Sequence, residues 1–320
     1  MNPFFARGGL GAASLLWSAL APAAPAAPPP AAPADPIRFT TWNLRNYRHS
    51  SPASGQPGAP KPAPERQAIV SILLHIRPDI LGLCEMGSAA DLALLQQALQ
   101  AAGLPLPHAE LVAASDPDRH LALLSRFPLS ARQPVTHLRY LLDNREFPVQ
   151  RGFLDATVAV SPTYSLRLVG AHLKSRRDVP EADQALMRRN EAHLLRQHLD
   201  GILASSPSAN LLVYGDFNDA RDQPAFKAIK GTRGAPGALT EIAAADPSGQ
   251  RWTYYFPQAD EYSRIDFVLA SAPLLPEMLP DQSFLYGGQD WLQASDHRPV
   301  TAVLLPEDAP RRPPQPSSDP

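Results

Sequence analysis

Several apolar segments of this 320-residue sequence end in side chains that can bind metal ions or transfer protons. The segment "NLLVYGDFND" (residues 210–219) runs through apolar and aromatic residues into Asp216 and Asn218, and "ILGLCE" ends in Glu85. In "TTWNL", Asn43 stands near the end of another apolar run. Each residue alone favours a turn or a surface position, because Gly, Asp and Asn are common turn residues. Their recurrence at the ends of apolar segments favours one shared metal or catalytic site.

Two histidines and two further carboxylates follow the same pattern. "LVGAHLKS" places His172 late in an apolar run, and "SDHRPVTAVLL" places Asp296 and His297 directly before one. Asp266 lies inside the apolar run "SRIDFVLAS", where burial of an unpaired carboxylate would be costly. A histidine beside an aspartate, or across a site from one, can transfer a proton or meet developing negative charge.

Carboxylates and amides without thiols point to hard metal ions. Oxygen ligands suit Mg²⁺, Mn²⁺ or Ca²⁺, and Mg²⁺ typically takes one or two carboxylates, keeps several waters and binds substrate phosphate. Glu85 and Asp296 are the candidate anchoring carboxylates, and Asn43 would add an amide oxygen. The single cysteine, Cys84, excludes an intramolecular disulfide and a zinc site built from cysteines.

Short apolar runs, separated by helical patterns, must position these side chains. The runs predicted as strands are "IRFTTWNL", "DILGLCE", "LALLSRF", "GFLDATVAV", "LRLVGAHL", "NLLVYGDF", "RIDFVLAS" and "RPVTAVLL". Helices are predicted over residues 65–76, 90–102 and 181–203. The apolar side of the longest helix comprises Leu186, Leu194, Leu195, Leu199 and Ile202. Because strands that are apolar on both faces need cover on both faces, we expect packed sheets with helices outside them.

The composition sets limits on function. Hydrophobic residues make up 44% of the chain, enough for a substantial core, and the formal net charge is −2. This charge argues against strong non-specific affinity for nucleic acid, which rests on many phosphate contacts, but it leaves room for a local basic patch.

The N-terminal residues have the pattern of an export signal. Arg7 supplies a positive charge, residues 10–20 are apolar, and "APAAPAA" offers small residues for cleavage. We therefore predict a signal peptide over residues 1–27, with cleavage in the region of Ala24 to Ala34. The weaker alternatives are an uncleaved anchor and a buried helix, since the apolar run is too short to span a bilayer comfortably.

The rest of the chain divides at two segments rich in proline. An Ala/Pro-rich linker is predicted over residues 28–36, one folded domain over 37–305 and a disordered tail over 306–320. An exported protein without disulfides fits a bacterial periplasm or exterior. No stable membrane insertion is expected after signal removal, and the chain is expected to be a monomer.

The ordered series of motifs resembles the endonuclease/exonuclease/phosphatase superfamily. This superfamily includes pancreatic-type deoxyribonucleases, exonuclease-III-type abasic endonucleases, neutral sphingomyelinases and inositol polyphosphate 5-phosphatases. The matching motifs are "TWNLRNY", "GLCE", "GAHLKS", "GDFND", "YSRIDFVLAS" and "SDHRPV", spread over nearly all of residues 37–305. The resemblance implies a DNase I-like α/β fold, a four-layer sandwich of two mixed β-sheets packed face to face with helices on both outer faces.

The resemblance also implies roles for the motif residues. Glu85 would bind the divalent metal, with Asn43 and Asp296 beside it. Asp216 would orient or deprotonate the attacking water, and Asn218 would hold the phosphate or that water. The three remaining catalytic residues would be His297, which stabilises charge on the phosphate, Asp266, which polarises His297, and His172, which contacts the phosphate or acts in acid–base catalysis.

Two cations are further candidates for substrate binding. "FPVQRGFLDATV" places Arg151 at the start of a predicted strand, where related enzymes often have an arginine that reaches the phosphate bidentately. Lys174 follows His172 and, with Arg176 and Arg177, would form a basic lip. Solvated positions are the alternative for each of these cations.

Several assignments stay open at the level of sequence. The acidic partner of His172 is one of Glu110, Asp116 and Asp118, or another residue. Arg188 and Arg189 are expected to face solvent or substrate, and Asp219 to be a cap or surface residue. The aromatic residues of "WTYY" (residues 252–255) either stack on a base or pack in the core or a loop, with packing favoured.

Three functions compete. The first is an exported phosphodiesterase that depends on Mg²⁺ or Mn²⁺, with Ca²⁺ as a further candidate, and most simply a nuclease acting on DNA or RNA. The second keeps the chemistry but takes a phospholipid or a small phosphorylated metabolite. The third is a catalytically inactive binding scaffold, which the complete set of chemical residues argues against.

Overall fold

Two six-stranded β-sheets form the centre of the protein. The computed structural model describes Met1, residues 35–51 and residues 59–307. Within these residues the strands are β1 (Ile37–Tyr47), β2 (Ile80–Met86), β3 (His108–Val112), β4 (His120–Ser125), β5 (Leu129–Arg132), β6 (Arg139–Leu142), β7 (Arg145–Pro148), β8 (Phe153–Ala159), β9 (Ser165–His172), β10 (Leu211–Asp216), β11 (Leu239–Glu241), β12 (Tyr254–Phe256), β13 (Glu261–Ser263), β14 (Asp266–Ser271), β15 (Phe284–Leu285) and β16 (Val300–Leu304). The helices are α1 (Ala63–Ile76), α2 (Ala89–Ala101), α3 (Gln184–Ser205), α4 (Pro224–Lys230) and α5 (Trp291–Ala294), and 3₁₀ turns lie at Ala272–Glu277 and Pro280–Gln282.

Both sheets are mixed. The first has the order β15-β16-β1-β2-β4-β3, and the second has the order β11-β14-β10-β9-β8-β5. In each sheet a parallel pair, β1 with β2 and β9 with β10, is flanked by antiparallel strands. Two short hairpins, β6–β7 and β12–β13, form separate two-stranded sheets.

Three hydrophobic clusters define four layers. One fills the space between the sheets and includes Phe39 of β1 and Leu168 of β9. A second packs α3 and α4, through residues such as Phe226, onto the outer face of the second sheet. The third packs α1 and α2, through Ile72 and Leu95, onto the outer face of the first sheet. This arrangement confirms the predicted four-layer α/β sandwich.

Tyr214 of β10 shows how closely the two sheets approach. Its ring lies edge-on to Phe39 of the other sheet, with 4.8 Å between the ring centroids. A Cβ atom at Gly82 of β2 would lie 2.2 Å from Tyr214 Cε2, and one at Gly170 of β9 would lie 2.6 Å from Tyr214 Cζ. Glycine is therefore required at both positions for the tyrosine to fit between the sheets.

Local sequence signals set the helix starts. Ser88 Oγ accepts a hydrogen bond from Asp91 N at 3.2 Å, and Asp91 Oδ2 accepts one from Ser88 N at 2.7 Å, which is a capping box before α2. The Asp183 carboxylate accepts hydrogen bonds from two backbone N–H groups in the first turn of α3. The predicted burial of Leu186 in that turn is wrong: it is 41% exposed, and its neighbour Met187 turns toward the sheet instead.

The predicted domain, residues 37–305, contains all the strands of the described residues. β1 begins at Ile37 and β16 ends at Leu304. The predicted signal peptide apart from Met1, most of the linker and most of the tail lie outside the described residues. Among the helices of the described residues, none is both long and apolar enough to cross a membrane.

Candidate active site

The strand register brings three of the predicted catalytic residues side by side. Asp216 at the end of β10 is paired with His172 at the end of β9 and with Asp266 at the start of β14. Residues paired across neighbouring strands point to the same face of a sheet, so the three side chains form one row. From the other sheet, Asn43 Nδ2 donates a hydrogen bond to Asp216 Oδ2 at 3.0 Å. The site therefore lies where the two sheets meet at one end of the sandwich.

His297 forms a buried pair with Asp266, which belongs to this row. His297 Nδ1 is 2.8 Å from Asp266 Oδ2, which leaves Nε2 3.8 Å from Asp216 Oδ2 and 4.0 Å from Asp296 Oδ1. Burial alone would lower the pKa of His297, but the carboxylates of Asp266 and Asp216 outweigh it and raise that pKa to about 10. The imidazole is therefore a cation at neutral pH, suited to meeting negative charge on a phosphate.

Asp216 is the carboxylate at the centre of the site. Its Oδ1 accepts a hydrogen bond from Asn218 N at 2.9 Å. Burial, followed by the neighbouring charge of Asp266, raises the pKa of Asp216 to about 7. A carboxylate with this pKa can accept a proton near neutral pH, which is the property that a general base requires.

A sharp turn at the end of β10 orients Asp216 and Asn218. Gly215 has φ of 132°, and a Cβ atom there would lie 1.9 Å from the carbonyl oxygen of Ala171. Asn218 has φ of 53°, and its Nδ2 donates to the carbonyl oxygen of Leu173 at 2.9 Å. Left-handed backbone at a residue other than glycine often marks a functional site.

Glu85 lies at the end of β2 in a similar conformation, with φ of 58°. Its Oε2 accepts a hydrogen bond from Asn46 N at 3.0 Å. Its Oε1 is 3.5 Å from Asn43 Nδ2 and 3.9 Å from His172 Nε2. The half-buried side chain of Arg119 approaches the same carboxylate, with Nε 3.8 Å from Oε2.

The donor set of the site fits a divalent cation. Among the described residues, the one group of acidic and histidine side chains with metal-binding spacing is Asp216, Asp266 and His297, whose ligand atoms lie within 4.8 Å of one another. While His297 is an imidazolium, the oxygens of Asp216 and Asp266 are the atoms of this group that can bind an ion. Glu85 adjoins this group through Asn43, and Asp296 adjoins it through His297. Four carboxylates share this site, so hard oxygen ligands and a net negative charge are present for an ion such as Mg²⁺ or Mn²⁺.

Asn43 and Asp296, which are also predicted to bind the metal, present different groups to the site: a buried amide nitrogen and a partly exposed carboxylate. Asn43 directs its amide nitrogen at Asp216 and Glu85, and its Oδ1 accepts a hydrogen bond from Arg45 N at 3.0 Å. Asp296 is partly exposed and lies 3.9 Å from Arg45 Nε. The metal roles predicted for Asn43, Glu85 and Asp296 stay predictions.

His172 is buried, and none of the three acids considered from sequence contacts it. Burial, followed by the nearby Arg151 guanidinium, lowers the pKa of His172 well below its ordinary value. Its Nε2 lies 3.5 Å from Asp216 Oδ2, whereas its Nδ1 has no hydrogen-bond partner within the part of the chain that the structure describes. The acids considered from sequence pair with arginines instead: Glu110 with Arg132, Asp116 with Arg151 and Asp118 with Arg48. The acidic neighbours of His172 are Asp216 and Glu85.

The two predicted substrate-binding cations are engaged by the protein. Arg151 is buried and its Nε lies 3.1 Å from Asp116 Oδ2. Lys174 Nζ donates to the carbonyl oxygens of Ser175 and Arg177, at 3.4 and 3.2 Å. Contacts of Arg151 and Lys174 with substrate therefore stay predictions.

The expectation for Arg188 is wrong, and of the two alternatives for Asp219 the structure favours the cap. Arg188 does not face solvent: it is 4% exposed, and its Nε lies 3.0 Å from Asp219 Oδ1. Asp219 is likewise buried, but it does act as a cap, because its Oδ2 accepts a hydrogen bond from Ala225 N in the first turn of α4. The pair fixes α3 and α4 behind the turn that carries Asp216, and a charged pair buried in this way is not visible in sequence spacing.

Residues outside the predicted set also position the site. Ser295 Oγ donates to the carbonyl oxygen of Asn43 at 2.8 Å and accepts from His297 N at 3.1 Å, so one hydroxyl links β1 to the catalytic histidine. Glu191 of α3 is buried and accepts from Lys174 N at 2.7 Å. Ser295 stood within the motif "SDHRPV", whereas no sequence signal marked Glu191.

Comparison with known proteins agrees with this geometry. The family model of the Endonuclease/Exonuclease/phosphatase family matches residues 40–297, which include every predicted site residue. The chain belongs to this family. Its members are hydrolases of phosphoesters that depend on divalent metals, and the acidic site described above is a possible metal site of this kind. No protein of curated function matches the sequence significantly.

Solved structures share the fold at low sequence identity. Sphingomyelinase C from Streptomyces griseocarneus has a TM-score of 0.57 at 15% identity, covering 84% of this chain and 99% of that chain. Truncated Caenorhabditis elegans TDP2 has a TM-score of 0.58 at 17% identity, with coverage of 84% and 98%. The human Nocturnin catalytic domain with bound sulfate has a TM-score of 0.58 at 17% identity, with coverage of 84% and 93%. These similarities are evidence for the DNase I-like fold.

Proposed function

We propose that this protein is an exported, divalent-metal-dependent phosphodiesterase, and that its substrate is DNA or RNA. The observation that carries the proposal is the buried group of Asp216, Asp266 and His297 beside Glu85. It combines a carboxylate whose pKa is about 7 with an imidazole whose pKa is about 10, so base and cation coexist near neutral pH.

The chemistry proposed for these residues is attack of water on a phosphodiester. Asn43, Glu85 and Asp296 would hold the metal ion, which neutralises charge on the phosphate when bound. Asp216 orients the attacking water and takes its proton as the new P–O bond forms and the ester P–O bond breaks. The His297 imidazolium, held by Asp266, stabilises the negative charge that gathers on the phosphate oxygens. The leaving oxygen takes up a proton from solvent and Asp216 releases to solvent the one it accepted, so the products are an alcohol and a phosphomonoester.

The choice of nucleic acid rests on charge around the site. Arg45 and Arg119 lie on its rim beside Asp296 and Glu85; Arg45 is exposed and Arg119 is half-buried. Arg176 donates from Nε to the carbonyl oxygen of Asn218 at 3.0 Å, and Arg177 follows it. Such a cluster offers contacts for phosphates that flank the scissile one.

A panel of substrates tests the proposal. The purified protein is assayed with Mg²⁺, Mn²⁺ or EDTA against plasmid DNA, RNA, bis(p-nitrophenyl) phosphate, a phosphomonoester and sphingomyelin. EDTA-sensitive cleavage of DNA or RNA, with little cleavage of the phosphomonoester or lipid, is expected. Preferential cleavage of sphingomyelin or of the phosphomonoester would replace the nuclease by the phospholipase or phosphatase alternative.

Export is part of the proposal and has its own test. The full chain is expressed in a bacterium, and the mass of the protein in the periplasm and medium is measured. A product shortened by cleavage near Ala24 to Ala34 is expected. Full-length protein confined to the cytoplasm would refute export and leave the proposed chemistry unaffected.

A further inference from the structure

The hairpin formed by β12 and β13 carries aromatic residues on both of its faces. On one face, Tyr255 and Tyr262 are paired across the hairpin and stack with 4.5 Å between ring centroids. Trp252 lies 4.7 Å from Tyr262 and 5.1 Å from Trp291 of α5. These four rings contact one another, and the Arg298 guanidinium lies over Trp252 at 4.2 Å. On this face the rings pack against one another and against Arg298, and Tyr262, the outermost of them, is 53% exposed.

The other face presents a row of rings that starts at the catalytic histidine. The Tyr254 ring lies 4.7 Å from the His297 ring, tilted by 39°. The Phe256 ring lies 6.5 Å further along, within 23° of parallel to Tyr254. Phe256 is 39% exposed, so the row leads from the buried imidazole to solvent. Its only ring contact among the described residues is with Tyr254.

Backbone pairing fixes this row relative to the catalytic residues. Tyr255 N donates to the carbonyl oxygen of Asp296 at 3.0 Å, and Arg298 N donates to that of Thr253 at 2.7 Å. Thr253 Oγ1 also accepts from Asp266 N at 3.0 Å. The hairpin and the Asp266–His297 pair are therefore one connected unit, and a group bound on the row is held at a fixed distance from the reacting phosphate.

We propose that Tyr254 and Phe256 form a stacking platform for the nucleobase next to the scissile phosphate. This inference rests on the proposed function and adds the part of the substrate that the chain recognises. Residues i and i+2 of a strand point to the same face, so the two rings offer consecutive surfaces for a planar group. Stacking on aromatic side chains tolerates any base, because every base has a π-face.

The residues at the hairpin tip favour a base over a lipid. The residues that connect β12 to β13 and the first residue of β13, residues 257–261, are Pro-Gln-Ala-Asp-Glu, a polar and acidic sequence. Insertion of the tip into a bilayer would bury two carboxylates at high cost. The same charges repel phosphates, so the platform suits one or two bases beside the cleavage site and not a long strand.

The test compares binding of two oligonucleotides that differ in their bases alone. One is a labelled single-stranded oligothymidylate, and the other is the same chain with tetrahydrofuran residues in place of the nucleosides. Binding is measured by fluorescence anisotropy with Mg²⁺ in an Asp216→Ala background, so that cleavage does not interfere. Phe256→Ala is the test variant, and Tyr262→Ala, an exposed ring on the opposite face of the same hairpin, is the matched control.

Stacking contributes about 1–3 kcal/mol per base, so Phe256→Ala is expected to raise the Kd for the oligothymidylate about 5- to 150-fold. Its Kd for the abasic chain should not change, and Tyr262→Ala should match the parent on both. Equal losses on both chains, no loss on either, or no preference of the parent for bases would overturn the platform. The platform would also fall if Phe256→Ala reduced binding to sphingomyelin vesicles and left oligonucleotide binding unchanged.

Cleavage by the protein with its native Asp216 separates this inference from the proposed function. Base-dependent binding without metal-dependent cleavage of DNA or RNA would refute the nuclease and leave the platform in place. Cleavage without base-dependent binding would refute the platform and leave the nuclease.

Discussion

Replacing Asp266 by asparagine tests the charge that controls His297. In the native protein Asp266 Oδ2 accepts a hydrogen bond from His297 Nδ1 at 2.8 Å. The asparagine oxygen can still accept this bond, so the imidazole should keep its orientation while its buried counter-charge is lost. Asp266→Asn therefore separates electrostatics from geometry, and Asp266→Ala would remove both.

The size of the effect follows from the pKa of His297, which is raised to about 10. An opposite charge in direct contact changes a pKa by about 1–3 units, so losing Asp266 should bring the pKa of His297 down to between about 7 and about 9. The imidazolium is then lost at a correspondingly lower pH. The alkaline limit of activity should move down by the same interval, and because less of the imidazole is protonated, the rate at pH 9 should fall about 2- to 100-fold.

The assay is the dependence of kcat on pH for bis(p-nitrophenyl) phosphate with Mg²⁺. The matched control is Asp155→Asn, because Asp155 is also a buried carboxylate that contacts a histidine, His198, at 2.8 Å, and lies on β8 away from the site. That control should lose stability but keep the native pH profile. An unchanged alkaline limit in Asp266→Asn, or an equal displacement in both variants, would refute the charge role of Asp266.

Three further substitutions have effects that the structure defines. Gly215→Ala places a Cβ atom 1.9 Å from the carbonyl oxygen of Ala171, so soluble folded protein should fall sharply, as measured by expression and circular dichroism. Glu191 has its pKa raised from 4.5 to about 7, chiefly by burial. The folded state thus retains a proton that the unfolded chain releases, so stability falls as pH rises from about 4.5 to 7. Glu191→Gln should reduce this loss of stability, with an effect on the free energy of unfolding of at most about 3 kcal/mol at pH 8. Urea unfolding at pH 5 and pH 8 measures it. Ser88→Ala removes the cap of α2 and should cost about 1 kcal/mol in the same assay.

Each of these predictions has a clear contrary result. Gly201 lies in a helix with open space around its Cβ position, so Gly201→Ala should fold normally, and equal behaviour of the two glycine variants would contradict the steric explanation. Equal changes in stability for Glu191→Gln at pH 5 and pH 8 would show that the carboxyl group is not protonated in the fold. A Ser88→Ala protein as stable as its parent would show that the capping box does not contribute.

Much of the fold and the site could be predicted because the polar site residues lie at the ends of apolar strands. Runs such as "NLLVYGDF" are apolar on both faces, so the sheets and their covering helices follow from burial. The register then places Asp216 beside His172 and Asp266, as the motif order implied.

Contacts between distant charged residues could not be predicted in the same way. Arg188 and Asp219 are 31 positions apart, and nothing in a helical or strand period relates them. Leu186 and Met187 are neighbours in one helix turn, and which of them faces the sheet depends on where α3 begins. The row formed by Tyr254, Phe256 and His297 likewise depends on a hairpin whose short strands resemble a loop in sequence.

The central claim is metal-dependent hydrolysis of a phosphodiester at the site that contains His297. The most direct measurement is hydrolysis of bis(p-nitrophenyl) phosphate by the purified protein with Mg²⁺ or Mn²⁺, with EDTA, and after metal is restored, for the parent and for His297→Ala. EDTA should abolish hydrolysis, added metal should restore it, and His297→Ala should lower kcat about 10²- to 10⁴-fold with an unchanged circular dichroism spectrum. Hydrolysis that resists EDTA, or near-normal turnover by the His297→Ala protein, would contradict the proposed mechanism.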